Sequence, residues 1–208
     1  LTKENLFREI DGSLERLQTD YIDIWQLHWP DPSTPIEETC EALAEIKKSG
    51  KIRYIGLSNF AQADMEVFDR LVGVDAQQGL YNMFERNAAS YHNIPLKYRT
   101  EDEMLPNVRA RGQAFLPYSP MFQGLLAGRF TRSRTFSQTD IRNENPKLSG
   151  ELYQKYFDGY EKLKLLADEI GHPTNEIAVN WLRQKPEVTS IIGGASCVEQ
   201  VRQNIAAL

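Results

Sequence analysis

Tyr21-Ile22-Asp23-Ile24-Trp25-Gln26-Leu27-His28-Trp29-Pro30-Asp31-Pro32 is the stretch that decides the fold. A short apolar run of alternating character predicts a buried strand over 21–28. Pro30 and Pro32 offer no ladder N–H and force a turn. Thr34-Pro35-Ile36-Glu37 then predicts a helix opened by a capping box, with proline at the first helical position. His28 is thereby placed where a strand stops and a loop begins. In α/β folds that rim is where ligands bind. A lone rim histidine more often only bonds its own loop, so its weight depends on what the other strand ends carry.

Strand and helix patterns alternate from there in both directions. Residues 3–17 predict a helix with Leu6, Ile10, Leu14 and Leu17 on one face and Thr2 as N-cap. Helix 36–49 presents Ile36, Cys40, Leu43 and Ile46 and stops at Gly50. Strand 52–59, helix 63–72, strand 74–81, helix 104–111 and strand 113–118 follow. Helices at 151–170 and 175–184, a strand at 189–192 and a helix at 198–207 complete the pattern. Such alternation predicts a parallel sheet joined by right-handed crossovers. A doubly wound sheet could hold five strands, whereas a (β/α)8 barrel needs eight and ~250 residues. No Gly-x-Gly-x-x-Gly loop follows a strand, which argues against a Rossmann domain. Gly193-Gly194-Ala195-Ser196 follows the last strand and opens its helix, where a barrel holds phosphate.

The bulk properties narrow the function. A chain of 208 residues without a linker or low-complexity tract suits one domain over 1–208. A formal net charge of -5 argues against a nucleic-acid partner. No apolar run approaches the ~18 residues of a membrane span. Cys40 and Cys197 suit a reducing compartment, and no leader pattern is seen, so a cytoplasmic location is expected. With only three histidines and no Cys/His cluster, no metal site is expected.

Four other strand ends carry polar groups. Ser58 and Asn59 end one strand, Gln78 lies near the end of the next, and Tyr118 and Ser119 end another before Pro120. Ser196 follows the last. In a barrel these converge on one face with His28. Amides and hydroxyls there can bond a planar carboxamide, and an aromatic ring can stack on it. Trp29 suits the wall of an apolar substrate pocket, or else a seal on the barrel rim. The loop over 87–103 exceeds the usual 2–6 residues and overhangs this face. A substrate-selecting wall and a surface insertion are equally compatible with it.

Five stretches resemble the aldo-keto reductase superfamily in order and spacing. They are residues 21–32, Gly-Leu-Ser-Asn-Phe at 56–60, Gln-Gly-Leu-Tyr-Asn at 78–82, Tyr-Ser-Pro-Met-Phe-Gln-Gly-Leu-Leu-Ala-Gly-Arg-Phe at 118–130, and Ile-Ile-Gly-Gly-Ala-Ser-Cys-Val-Glu-Gln-Val-Arg-Gln-Asn at 191–204. The likeness spans nearly all of the chain. It is greatest to bacterial oxidoreductases that also resemble potassium-channel β subunits.

The resemblance implies a (β/α)8 TIM barrel binding NADP(H) across its C-terminal face, with strands 4–8 and their helices in this chain and strands 1–3 before Leu1. Ser58, Asn59 and Gln78 then resemble the carboxamide ligands, and Tyr118 the ring stacked on the nicotinamide. Ser119, Pro120, Met121, Gln123 and Arg129 resemble the loop over the pyrophosphate, and Arg142 an arginine that reaches a cofactor phosphate. Gly194, Ser196, Gln200, Gln203 and Asn204 match the adenosine end with its 2′-phosphate. Position 203 departs from the family's usual glutamate, which implies changed affinity. His28 matches the family histidine that orients the carbonyl substrate. The aspartate, tyrosine and lysine of the family's catalytic set would lie before Leu1. Tyr81 falls on a family packing position, and Tyr91 and Tyr98 have no family counterpart.

The implied activity is NADPH-dependent reduction of aldehydes or ketones. The alternative is an NADP(H)-binding sensor or regulatory subunit with little turnover. The 208 residues alone are expected to lack reductase activity and to associate through open sheet edges. Assembly of the whole protein into a homo-oligomer stays open.

Overall fold

The computed structural model describes residues 1–207. Helix α1 (Lys3–Leu17) precedes strand β1 (Ile22–Leu27), α2 (Ile36–Lys48), β2 (Ile52–Ser58), α3 (Gln62–Val72) and β3 (Ala76–Leu80). A hairpin of β4 (Ser90–Tyr91) and β5 (Ile94–Pro95) follows, then a π-helical turn (Thr100–Met104) that runs into α4 (Leu105–Arg111) and β6 (Ala114–Tyr118). The chain ends in α5 (Gly150–Ile170), α6 (Thr174–Arg183) and α7 (Val198–Ala206).

Among the described residues, β1, β2, β3 and β6 form a sheet in that order, and every pair is parallel. Helices α1 to α3 cover one face of its first half through Ile10, Leu43, Ile46, Met65 and Phe68, which pack in one cluster with Ile55 of β2, all nearly inaccessible to solvent. Phe115 and Tyr81 pack with Met104 and Leu182 under the other half. A third cluster joins Phe122, Leu125 and Leu126 of the segment after β6 to Phe157 and Tyr160 of α5. Gly56 on β2 is needed for close approach, because a Cβ there would come within 2.5 Å of Gln26 Cγ on β1.

Three local expectations are corrected. The strand over 189–192 is reduced to isolated bridges, Phe115 with Val188 and Tyr118 with Ile192. The Pro117 carbonyl accepts from the Ile192 N–H at 3.0 Å, but Pro117 has no N–H to return, so a regular ladder cannot run through it. The capping box at Thr34 does not form, and Pro35 caps α2 without a side-chain bond. Asp31 takes the Thr34 hydroxyl instead at 2.7 Å, together with the Ser33 N–H. The long loop is also less irregular than its sequence, being folded into the β4–β5 hairpin and the π-helical turn. Thr2 caps α1 as expected, accepting from the Asn5 N–H. No helix among the described residues is long and apolar enough to cross a membrane.

Candidate cofactor and substrate site

The ends of the parallel strands carry the site. Asn59 follows β2 at φ 66° and Ser119 follows β6 at φ 58°, both left-handed. Asparagine tolerates that region because its short side chain can bond locally. Serine is less at ease there and is held by the Asn82 side chain, which donates to its carbonyl at 3.1 Å. These turns aim the strand-end residues across the sheet edge.

Asn59 is the hub. Its Nδ2 donates to the His28 carbonyl at 3.1 Å and to Ser58 Oγ at 3.0 Å. Its Oδ1 accepts from the phenols of Tyr98 at 3.0 Å and Tyr118 at 2.9 Å. Ser58 lies beside Gln78 in the β2–β3 register, and Leu80 beside Tyr118 in the β3–β6 register. Burial pushes the Tyr118 phenol far above its ordinary pKa, with Tyr98 adding to the rise. Neither Tyr98 nor Tyr118 therefore ionises near neutral pH. His28 stands just beyond β1, exposed, with its ring 6.4 Å from that of Trp29.

A cavity of about 660 Å³ opens beside this cluster. Every residue expected to touch cofactor lines it except Ser58 and Gln78, which are paired in the β2–β3 register, and Asn59, which lines a second cavity. Tyr118 and Ser119 stand with Gly194, Ser196, Gln200, Gln203 and Asn204 around one space. The start of α7 is closed by Gln200 Oε1, which accepts from the Ser196 N–H at 2.6 Å. Arg129 reaches across to Gln203 at 3.4 Å. Arg142 is paired with Asp140, whose carboxyl it holds down at about 2. The Arg142 guanidinium also lies 4.7 Å over the Phe136 ring. Trp29 is apart from this cavity and lines a second one of about 590 Å³ with Phe60, Ile94, Pro95 and Lys97.

Several contributors escaped sequence reasoning. Tyr91, Arg134 and Asn175 line the larger cavity. Tyr91 packs edge-on against Tyr118 with ring centres 5.3 Å apart. The hairpin is bolted to the segment after β6 by Asn93, which donates to the Glu144 carbonyl at 2.8 Å. Lys147 adds a bond to the Ser90 carbonyl at 2.6 Å and an ion pair with Glu85 at 2.7 Å. No local pattern announces these contacts, which join residues 51 to 62 positions apart.

The model of the aldo/keto reductase family matches residues 1–208. The chain is 36% identical to aldo-keto reductase YhdN of Bacillus subtilis over 93% of its own length and 55% of that protein. It is 33% identical to an NADH-specific methylglyoxal reductase of Escherichia coli over its whole length and 60% of that protein. The solved structure of a glycerol dehydrogenase from Gluconobacter oxydans superimposes with a TM-score of 0.79 at 27% identity, covering 99% of this chain and 64% of that one. The chain thus spans less than two thirds of the length of these relatives. With a parallel α/β sheet, a cavity at its strand ends and a family match from end to end, the chain belongs to the aldo/keto reductase family.

Proposed function

We propose that the protein carrying this chain reduces aldehydes or ketones to alcohols with NADPH, and that the segments β1, β2, β3, β6 and 188–192 are strands 4–8 of its barrel. The observation that carries this reading is the single cavity shared by Tyr118, the segment after β6 and the start of α7. Its dimensions and lining fit an extended dinucleotide, with an aromatic ring at one side and backbone and amide groups at the other. When bound there, the nicotinamide supplies the hydride to the carbonyl carbon.

The chain's own residues do the rest. Ser58, Asn59 and Gln78 hold the carboxamide. Tyr118 gives the nicotinamide a flat, apolar face. Ser119, Pro120, Met121, Gln123 and Arg129 cover the pyrophosphate. Arg142, with Gly194, Ser196, Gln200, Gln203 and Asn204, holds the adenosine end. His28, free of side-chain partners at the end of β1, donates a hydrogen bond that orients the substrate carbonyl. Trp29 and the hairpin wall the substrate space. Residues 1–208 alone are proposed to lack reductase activity, because neither phenol at the strand ends is placed to give up a proton: Tyr98 and Tyr118 both donate to Asn59, and burial raises both.

Arginines at the cavity favour the cofactor that carries the additional 2′-phosphate. A relative named as NADH-specific makes the choice of cofactor a matter for direct test. Fluorescence titration of the full-length protein with NADPH and NADH should give the lower dissociation constant for NADPH. Equal constants, or tighter NADH, would refute the NADPH assignment. Tight NADPH binding without turnover of any aldehyde would favour a sensor.

A further inference from the structure

The Asn59 carbonyl oxygen is shared by two phenols that differ in every other respect. Tyr98 is 4% exposed and lies in the segment between the β4–β5 hairpin and α4. Its oxygen accepts from the Leu80 N–H at 3.1 Å, so its own proton is committed to Asn59 Oδ1. Thr100, two residues on, fixes the same segment by donating to the Leu80 carbonyl at 2.7 Å. Tyr118 is half-buried, lines the large cavity, and makes one good hydrogen bond, to Asn59. The two phenol oxygens are 3.5 Å apart. One donor is therefore built in and the other stands at the edge of the ligand space.

A carbonyl oxygen has two lone pairs. With one held by Tyr98, the amide plane of Asn59 stays fixed while the other exchanges its donor. A carboxamide N–H is a donor of the same kind as the Tyr118 phenol and can take that second place. The Nδ2 side of the amide is held by the His28 carbonyl and Ser58 Oγ, so without Tyr98 it is the carbonyl side that loses the bond fixing which lone pair faces the ligand space.

We propose that Tyr98 is a positioning residue for the nicotinamide end of the cofactor: it locks the Asn59 amide so that one carbonyl lone pair is presented to the carboxamide. The proposal rests on the cofactor reading above. It gives the two phenols opposite roles, since Tyr98 serves the ligand and Tyr118 competes with it for one lone pair while its ring still stacks.

The test uses the full-length protein, with binding of NADPH and of adenosine 2′,5′-bisphosphate followed by fluorescence. The second probe reports only the adenosine end. Loss of one buried hydrogen bond, about 1 to 1.4 kcal/mol, corresponds to about fivefold to tenfold. Tyr98→Phe should raise the NADPH dissociation constant by that factor and leave the bisphosphate constant unchanged. Tyr118→Phe, which keeps the ring and removes the competing donor, should lower the NADPH dissociation constant. Equal weakening of both probes by Tyr98→Phe, no weakening of either, or unchanged or weaker NADPH binding in Tyr118→Phe would overturn the proposal. The Tyr118→Phe arm stands even if Tyr98→Phe does not fold. An unmodified protein that binds neither probe would overturn the cofactor reading itself.

Discussion

His92 Nε2 lies 2.6 Å from Gln123 Nε2, joining the tip of the β4–β5 hairpin to the segment that borders the large cavity. An amide nitrogen only donates, so the imidazole nitrogen must accept and the ring must be neutral. Gln123 Oε1 is engaged in turn by Asn145 Nδ2 at 3.0 Å. His92 is buried at φ 51°, with the Tyr91 ring 4.4 Å away. Protonation would set donor against donor, and turning Gln123 to relieve this would break its bond to Asn145.

That relationship predicts acid sensitivity. Burial lowers the His92 pKa, Lys147 lowers it further, and Glu144 with the Ile141 backbone opposes them; burial prevails. The unfolded chain then binds a proton near the ordinary histidine value of about 6.5 while the folded chain does not. Stability should be fully present above that value and fall as pH drops toward the folded pKa. The melting temperature should drop between about pH 7.5 and about pH 5.5, and less so in His92→Asn, which tolerates the left-handed backbone. An equal drop in both proteins would remove His92 from the account.

The ion pair of Lys147 with Glu85 should be costly to halve. Lys147 is 8% exposed and Glu85 5%, and Tyr156 also donates to Glu85 at 2.8 Å. Lys147→Met leaves a buried carboxylate short of its counter-ion, which costs about 3–5 kcal/mol. Adding Glu85→Gln should restore part of the loss, because the stranded charge is gone. Urea unfolding of the single and double variants measures both. A single-variant loss under about 1 kcal/mol would mean that water reaches Glu85.

Gly79→Ala tests how closely the π-helical turn seats on the sheet. A Cβ at Gly79 would lie 2.8 Å from Met104 Sδ and 3.3 Å from the Phe115 ring. Met104 can yield more easily than the ring, so the cost should fall at the low end of overpacking, about 1 kcal/mol. In a Met104→Ala background the same substitution should cost nothing or stabilise. Unfolding free energies that add independently would show that the two residues do not meet.

Much of this was legible in the sequence because it rests on short-range pattern. The two-residue period of the strands and the prolines at 30 and 32 put His28 at a strand end. The glycines at 50 and 112 end α2 and α4 with positive φ. Most of the expected cofactor residues meet in one cavity because two of the five quoted motifs, 118–130 and 191–204, follow neighbouring parallel segments bridged at Tyr118 and Ile192. What stayed hidden depends on competition or distance. Asp31 outbids α2 for the Thr34 hydroxyl, and Pro117 interrupts the last ladder. Strands of two residues leave no periodicity, so the β4–β5 hairpin reads as loop. Tyr98 finds Asn59 across 39 positions, a pairing that only the folded sheet creates.

On the proposed reading, Tyr118 and Trp29 serve cofactor and substrate separately, since they line different cavities. Tyr118 lines the larger one, whereas Trp29 lines the other with Phe60, Ile94, Pro95 and Asn59, the residue whose amide oxygen accepts from Tyr118. Tyr118→Ala removes a stacking face worth about 0.5–1.5 kcal/mol beyond its burial, so the NADPH dissociation constant should rise about twofold to twelvefold. Trp29→Ala should leave that constant within about twofold, since it removes no group from the larger cavity. Its effect should appear as a changed ranking of aldehydes by kcat/KM, with bulky apolar substrates losing most, because an apolar wall discriminates by contact area. Titration with NADPH, followed by steady-state rates on a graded series of aldehydes, measures both in the full-length protein. If Trp29→Ala loses cofactor while Tyr118→Ala keeps it, the two cavities have been assigned the wrong way round, and the nicotinamide would belong beside Phe60 and the hairpin.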